Sequence, residues 1–176
     1  MADSIRDLLE MSLQDTYSAE TQILDALPKM QEAASSPKLK QAFQEHLEVT
    51  QRQVERLDQV CQQLGIEPEG DTCEAMEGLV EEGEEIIEEL EEGPVRDAAL
   101  IGAAQKVEHY EMAAYGTLTA MLKAMGESRC ADLMAQTLKE EKDTDETLSE
   151  IAESEVNPMA LGEAPANEQS ASRGAA

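Results

Sequence analysis

The sequence predicts an all-α fold in which four long amphipathic helices pack as a bundle. Tryptophan is absent and phenylalanine occurs once, whereas alanine, leucine, glutamate, glutamine and methionine, which all favour helices, are abundant. No segment alternates apolar and polar residues as a half-buried strand does, and four segments instead repeat apolar residues every three or four positions. With 176 residues, the chain is long enough for one domain with a sizeable core.

The first two helices are expected at residues 4–34 and 36–64. Pro28 lies near the end of the first helix and is expected to kink its last turns, because proline lacks an amide hydrogen. Ser36 suits the N-cap of the second helix and Pro37 its first helical position, and the glycine after residue 64 suits its C-terminal end. These signals predict a tight turn between two long helices.

The third helix is expected at residues 94–126, where Pro94 suits a first helical turn. The fourth is expected to begin near Ser128, which suits an N-cap, and to complete a bundle domain of residues 1–156. The composition then changes to alanine, glycine, proline, serine and glutamate. This change predicts a disordered tail over residues 157–176.

Connection lengths indicate how these helices are arranged. Helices one and two, and helices three and four, are joined by very short turns, so each pair is expected to form an antiparallel hairpin. The connection between the hairpins, residues 65–93, is about thirty residues long and can run the full length of a bundle. That is the single-crossover topology of a ferritin-like four-helix bundle. Within it, the run from Asp71 to Glu74 resembles a capping box, and an apolar face predicts a short fifth helix that ends by Glu92.

The charge excludes some classes of partner. The chain has 39 acidic and 13 basic residues, a formal net charge of −26, which repels nucleic-acid backbones and anionic lipid surfaces. We therefore expect neither nucleic-acid nor membrane binding. Two interpretations of the charge remain open, a halophile-like adaptation to salt and a direct function. Thirteen of the acidic residues lie between Glu67 and Glu92, a segment that contains no basic residue. This segment is interpreted either as a solvated helix face or as a surface that collects cations.

The cysteines and the first residues favour the cytoplasm. Cys61, Cys73 and Cys130 are odd in number and have no zinc-site spacing, so we expect free thiols in a reducing compartment. The first residues carry an acid where a signal peptide needs a basic start. No apolar stretch approaches the length of a membrane span.

Several charged residues fall on the apolar stripes of the predicted helices. Glu20 lies on the stripe of the first helix and His46 on that of the second. Glu108 and Glu111 lie one turn apart on the third helix, and Glu141 lies on the fourth. Counted from the two turns at 1.5 Å per residue, these carboxylates converge near mid-bundle, with the histidine within about a turn.

A convergence of buried carboxylates predicts a metal site. Each buried, uncompensated carboxylate costs several kcal/mol, and the predicted stripes offer almost no lysine or arginine. A site with mostly oxygen ligands suits Fe or Mn better than Cu or structural Zn. The alternative remains open that these glutamates reach the surface or hold protons, and that His46 is an ordinary core histidine.

Several segments resemble the YciE/YciF-type ferritin-like (rubrerythrin-like) family over about residues 4–153. The resemblance implies a rubrerythrin-like helical bundle, often dimeric, that is associated with bacterial stress responses. For metal ligands it implies Glu20 from the first helix and Glu108 with Glu111 from the third. The segments that carry it are Tyr17-Ser-Ala-Glu20, Ala26-Leu-Pro-Lys-Met30, Glu45-His-Leu-Glu48, Gln53-Val-Glu-Arg-Leu57, Ala75-Met-Glu-Gly78, Gly83-Glu-Glu-Ile-Ile87 and Val107-Glu-His-Tyr-Glu-Met-Ala-Ala-Tyr-Gly116.

The chain departs from the general di-iron pattern, which has Glu-x-x-His on two helices. The second helix has a valine three residues after His46, and the fourth has a threonine three residues after Glu141, with Asp145 as a possible substitute ligand. Only Glu108 and Glu111 form a well-spaced pair. The number of bound ions, one or two, is therefore left open.

The leading functional hypothesis is a ferritin-like protein with an Fe or Mn site that handles metal or reacts with a small oxidant, oxygen or peroxide. Glu111 or Glu108 would bridge two ions, and Glu20, Glu141 and His46 would be terminal ligands. The competing hypothesis is a non-catalytic, dimeric stress or structural protein without metal. In both, a homodimer is expected through an apolar face on the crossover helix or on the outer side of the third long helix.

Overall fold

The computed structural model of the chain describes residues 3–163, and these residues contain helices but no strands. None of the helices in this range is long and apolar enough to cross a membrane. The predicted ferritin-like bundle with a helical crossover is confirmed, since a shorter helix lies between two long helical hairpins. The elements are α1 (Ile5–Ala33), α2 (Pro37–Leu64), α3 (Glu74–Glu89), α4 (Pro94–Ala124), α5 (Ser128–Ile151), a π-helical turn (Ala152–Val156) and α6 (Asn157–Ala160).

The first two helices begin and end within one residue of their predicted bounds. The Ser4 hydroxyl accepts a hydrogen bond from the Asp7 amide at 3.2 Å, and the Asp7 carboxylate accepts one from the Ser4 amide at 3.0 Å. Ser36 caps α2 in the same way by accepting from the Leu39 amide at 3.3 Å. Gly65 ends α2 with a φ of +68°, a left-handed conformation that favours glycine. Local side-chain chemistry thus sets the length of the first hairpin.

The start of α3 differs from the predicted capping box. The N-cap is Cys73, whose side chain makes no capping hydrogen bond. Its amide instead donates to the Ser18 hydroxyl of α1 at 2.9 Å. A side chain distant in sequence therefore replaces the expected local cap. Similarly, Ser128 is the first residue of α5 rather than its N-cap.

Helical structure continues past residue 156, where the predicted tail begins. The π-helical turn leads into α6, and Val156 is buried in the core. Glu155 anchors this turn, because its carboxylate accepts from the Ser36 hydroxyl at 2.6 Å and lies 2.8 Å from Lys38 Nζ. Residues 157–160 are thus helical, and the remainder of the predicted tail from residue 164 lies outside the described residues.

The turn between α1 and α2 is held by groups from later helices. Asp97, in the first turn of α4, is buried and accepts hydrogen bonds from the amides of Ser35 and Ser36 at 2.7 Å each. Arg96 donates to the Ala33 carbonyl oxygen at 2.7 Å. The start of α4 is therefore fixed against the turn between α1 and α2.

A layer of polar side chains divides the hydrophobic core into two parts. One apolar cluster includes Phe43 and Leu100 and is covered by α3, and the other includes Leu57 and Leu118 near the opposite end. Between them lie buried polar residues of the four long helices. This layer comprises Glu20, His46, Thr50, Gln53, Glu108, Glu111, Thr137 and Glu141.

Candidate metal centre

Four of the buried polar side chains come together inside the bundle. His46 of α2, Glu108 and Glu111 of α4, and Glu141 of α5 each offer one ligand atom, and these atoms all lie within 4.8 Å of one another. Each residue is at most 4% exposed. Atoms this close can bind a single cation in common.

Helix geometry explains why these residues meet. Glu108 and Glu111 are three residues apart, so both project from the same side of α4. Glu141 extends from α5, the antiparallel partner of α4, and His46 extends from α2, which also packs against α5. The mid-bundle convergence that helix lengths predict is therefore present for these four residues.

Most ligand atoms of the cluster have no hydrogen-bond partner. Both carboxylate oxygens of Glu111, and one oxygen each of Glu108 and Glu141, are buried and unpaired. The Nε2 atom of His46 is also unpaired, although it lies 3.5 Å from a Glu108 oxygen. Buried polar atoms in folded proteins nearly always have partners. A bound cation would supply a partner to every one of these atoms.

The cluster favours protons when no cation is present. Burial, followed by repulsion from the Glu141 carboxylate, raises the pKa values of Glu108 and Glu111 well above the usual range. Burial also raises the pKa of Glu141 to about 7. A metal ion binds the deprotonated carboxylates, so protons and a cation compete for the same oxygens.

His46 has the protonation state that a metal ligand needs. Burial lowers the pKa of its imidazole to about 4, so the ring is neutral at neutral pH. Its Nδ1 lies 3.4 Å from the Thr144 hydroxyl, which leaves Nε2 facing Glu108. A neutral imidazole with one nitrogen engaged can offer the lone pair of the other to a metal.

Glu20 lies beside the cluster and is not one of the four closest ligands. It is fully buried, and the Tyr115 hydroxyl donates to one of its oxygens while the other is unpaired. Burial and the nearby charge of Glu141 raise the pKa of Glu20 to about 8. Its charge in turn contributes, after burial and Glu141, to the raised pKa of Glu111. Glu20 is therefore a fourth buried carboxylate that interacts electrostatically with the cluster.

Asp145 lies outside the cluster, in contrast to the predicted ligand set. Its carboxylate accepts a hydrogen bond from Gln105 at 3.1 Å and lies 3.4 Å from Nε2 of His109. Asp145 follows Glu141 by four residues, so its side chain is rotated by about 40° around the helix axis relative to that of Glu141. The Asp145 carboxylate therefore lies at the partly exposed seam between α4 and α5, apart from the four ligand atoms that come together.

The sequence pattern did not identify Gln53, a member of the polar layer, or Arg56, which lies beside the layer. The Gln53 amide donates to the Glu141 carboxylate and, at 3.3 Å, to Glu140. Arg56 is 7% exposed and makes two hydrogen bonds to Glu140, of 2.9 and 3.0 Å, and one to Thr137. Gln53 follows His46 by seven residues, and this spacing places both on one face of the helix. The spacing is the sequence feature from which the position of Gln53 in the layer could have been predicted.

A solvent-facing groove reaches His46 between α2 and α5. It has a volume of about 200 Å³, and its walls include Glu45, Glu140 and Asp143 along with Thr144. Acidic walls favour the approach of cations over anions. The groove gives the histidine side of the cluster a connection with solvent.

Comparisons with known proteins agree with this architecture. Residues 4–161 match the family model described as a domain of unknown function (DUF892). Protein YciF of Escherichia coli (strain K12) is 49% identical over 162 residues, which cover 92% of this chain and 98% of YciF. The crystal structure of the E. coli stress protein YciF matches with a TM-score of 0.86 and 49% identity over 89% of this chain and 99% of that one.

Two further solved structures match. YcfI, a candidate structural protein from Rhodopseudomonas palustris, is 44% identical with a TM-score of 0.81, over 84% of this chain and 94% of YcfI. A protein from Xanthomonas campestris pv. campestris is 22% identical and shares the fold, with a TM-score of 0.71 over 90% of this chain and 97% of that one. The resemblance carried by the sequence motifs is confirmed. The chain belongs to the DUF892 family and is a homologue of the stress protein YciF.

Proposed function

We propose that this protein binds Fe or Mn inside its helical bundle and uses that metal in a stress response, for metal handling or for chemistry with oxygen or peroxide. One observation carries the proposal. Four buried ligand atoms from three helices lie within 4.8 Å of one another, and most of them have no hydrogen-bond partner.

The ligand types support Fe or Mn. Three carboxylates and one imidazole form an oxygen-rich set without thiolates, which suits these metals better than Cu(I) or structural Zn. His46, Glu108, Glu111 and Glu141 would hold one ion. Glu20, the adjacent buried carboxylate, is the residue on which a second ion would depend.

The surrounding residues would orient the ligands. Tyr115 donates a hydrogen bond to Glu20, and Gln53 donates one to Glu141. The positively charged Arg56 is buried nearby and donates to Glu140, the residue next to Glu141. Residues that orient metal ligands commonly tune a metal site as strongly as the ligands do. When bound, Fe or Mn would supply the change in oxidation state that reaction with oxygen or peroxide requires.

The stress-response part of the proposal rests on the relative. The E. coli homologue is named a stress protein, and its 49% identity over nearly the full length supports a similar role here. We propose the cytoplasm as the site of action. The three cysteines, which are free thiols buried in the described structure, are in keeping with a reducing compartment.

We also propose that the protein acts as a homodimer. Three large apolar side chains, Ile5, Leu8 and Met11, are about half exposed on α1. Leu8 and Met11 border a groove against Ala113 and Ala114 on the outer side of α4. A second copy could cover this face. Light scattering at moderate salt should give twice the monomer mass, and a monomer mass would contradict the proposal.

A second function, a structural protein without metal, has one observation in its favour. The raised pKa values of Glu20, about 8, and Glu141, about 7, leave the first carboxylate mostly and the second partly protonated near neutral pH, so protons alone can reduce the charge of the layer. The relative YcfI is described as a candidate structural protein. The same bundle would then serve only as a scaffold.

Metal analysis separates the two functions. Protein purified without a histidine tag or chelator should contain Fe or Mn by inductively coupled plasma mass spectrometry. Glu111→Gln keeps the side-chain shape but removes the charge, so its metal content should fall at least about tenfold while the helices remain. Glu81→Gln removes the same charge from an exposed position on α3 and should retain the wild-type metal content. Equal metal content in all three proteins would reject the proposed site.

A further inference from the structure

A buried glycine in α3 faces an open space inside the protein. Gly83 is buried, yet a Cβ atom added to it would meet no atom within 4 Å beyond its chain neighbours and the nearby backbone of its own helix. Glycine in a helix interior is less favourable than alanine by about 1 kcal/mol. No close contact requires a glycine at this position. The absence of a side chain leaves the space next to Gly83 open.

The space is an apolar cavity that ends at the candidate metal ligands. Its volume is about 40 Å³. Side chains from all five main helices line it, and His46 and Glu108 form part of its wall. Each of these two residues has a buried ligand atom, Nε2 and a carboxylate oxygen respectively, without a hydrogen-bond partner. The apolar walls include Ile23, Leu27, Phe43, Val80, Ile87 and Val107.

Size and polarity restrict what can occupy the cavity. One water-sized molecule needs on the order of 10–15 Å³ of such volume, so the cavity accommodates a diatomic molecule. Hydrogen peroxide carries two hydroxyl groups that need hydrogen-bond partners, and His46 and Glu108 offer such partners at one end of the cavity. Dioxygen is apolar and needs none, so it can occupy the whole cavity, including the part that is lined by apolar side chains alone. The apolar part of the cavity therefore favours dioxygen.

We propose that this cavity binds dioxygen next to His46 and Glu108, and that Gly83 keeps it open. Binding in the cavity depends on the apolar walls alone. Delivery of dioxygen to a metal rests on the proposed function, because only a metal held by His46 and Glu108 would receive it. The acidic groove between α2 and α5 shares His46 and Thr144 with the wall of the cavity, so the groove and the cavity both reach the histidine.

Xenon is a suitable probe, because it is apolar and occupies small dry cavities. The full chain, freed of metal by a chelator, should show saturable xenon-dependent shifts of the methyl resonances of Val80, Ile87 and Val107. In Gly83→Val the added methyl groups fill the cavity, and xenon binding should be about tenfold weaker, since the lining loses its dispersion contacts with the gas. Gly83→Ala, which fills the space only in part and improves helix propensity, should weaken binding less and keep the fold.

Gly78→Val is the matched control. Gly78 is exposed on the same helix, and its added Cβ would also meet nothing within 4 Å, so the backbone cost is matched while the cavity stays open. Xenon binding should equal that of the wild type. Paramagnetic dioxygen under pressure should broaden the same three methyl resonances more than those of Leu57 in the other core cluster.

The outcomes keep the two proposals apart. Absence of saturable xenon binding in the wild type, equal binding in wild type and Gly83→Val, or uniform broadening by dioxygen would overturn the cavity proposal, whatever the metal content. Xenon binding in a protein that takes up no metal would retain the cavity as a binding site and reject delivery to a metal.

Discussion

Glutamate is abundant both on the surface of α3 and in the middle of the bundle, but its surroundings differ between the two regions. On α3, Glu81 is exposed and Glu84 pairs with Lys29 at 2.6 Å. In the interior, Glu108 and Glu111 are at most 2% exposed and have unpaired oxygens. The same residue type is hydrated in one region and needs a proton or cation in the other. The net charge of −26 therefore does not indicate where a site lies. The positions of the four interior glutamates do indicate it.

The largest expected effect of this difference is on the pH dependence of the metal-free protein. Burial raises the pKa values of Glu20 to about 8 and of Glu141 to about 7. Between about pH 4.5 and 8 the unfolded chain releases protons that the folded cluster retains, so the free energy of unfolding falls as pH rises. Each proton retained contributes a slope of about 1.4 kcal/mol per pH unit. Urea denaturation from pH 5 to 8 in the presence of a chelator measures this pH dependence of the free energy of unfolding.

Two variants sharpen this comparison. Glu111→Gln removes one interior charge, so its free energy of unfolding should vary less with pH than that of the wild type, and its metal-free form should be more stable at pH 8. Glu81→Gln changes an exposed glutamate of α3 and should follow the wild-type curve. A stability that increases between pH 5 and 8 in the metal-free wild type would contradict the assignment of raised pKa values to the interior.

A smaller effect is expected from the ion pairs of the two regions. Replacing Arg56 by methionine keeps an apolar side chain of similar length but leaves Glu140 without its partner, beside the Glu141 carboxylate. The variant should lose about 3 kcal/mol of unfolding free energy at neutral pH. Chemical denaturation measures the difference.

Lys139→Met is the exposed counterpart. Lys139 pairs with Asp143 on the surface of α5, and both side chains are more than half exposed. Because solvent screens exposed pairs, no measurable loss of stability is expected. Equal losses in Arg56→Met and Lys139→Met would show that burial does not set the strength of these pairs.

The smallest expected effect concerns the acidic surface. The screening length falls from about 10 Å at 0.1 M to about 3 Å at 1 M ionic strength. If mutual repulsion of surface carboxylates limits stability, the melting temperature should rise with added sodium chloride. Calorimetry at several salt concentrations measures it. A flat or falling melting temperature would contradict the interpretation of the charge as an adaptation to salt.

Helix periodicity was sufficient to predict much of the site. Glu20, Glu111 and Glu141 interrupt apolar stripes, and a buried acid is costly enough that such a position indicates a special role. Asp145 could not be excluded in this way, because a rotation of about 40° decides whether a side chain faces the core or the seam between two helices. Arg56 was missed because arginine usually lies at the surface unless a partner is present, and its partner Glu140 is 84 residues away.

The fold was predictable where local chemistry sets it. Ser36, Pro37 and Gly65 have conformational preferences that act within a few residues, and the bounds of α2 follow from them. The cap of α3 was not predictable, because Ser18 provides it from another helix. The continuation through Ala152–Val156 depends on Glu155, whose partners lie at the start of α2.

The contacts around the turn between α1 and α2 have a consequence for the order in which the chain folds. The turn leaves the ribosome early, but its amides at Ser35 and Ser36 are paired by Asp97, and its serine hydroxyl meets Glu155. Contacts between residues far apart in sequence form late, because closing a long loop costs entropy first. The first hairpin can thus become helical during synthesis, while its turn acquires final structure only when almost the entire bundle has been made.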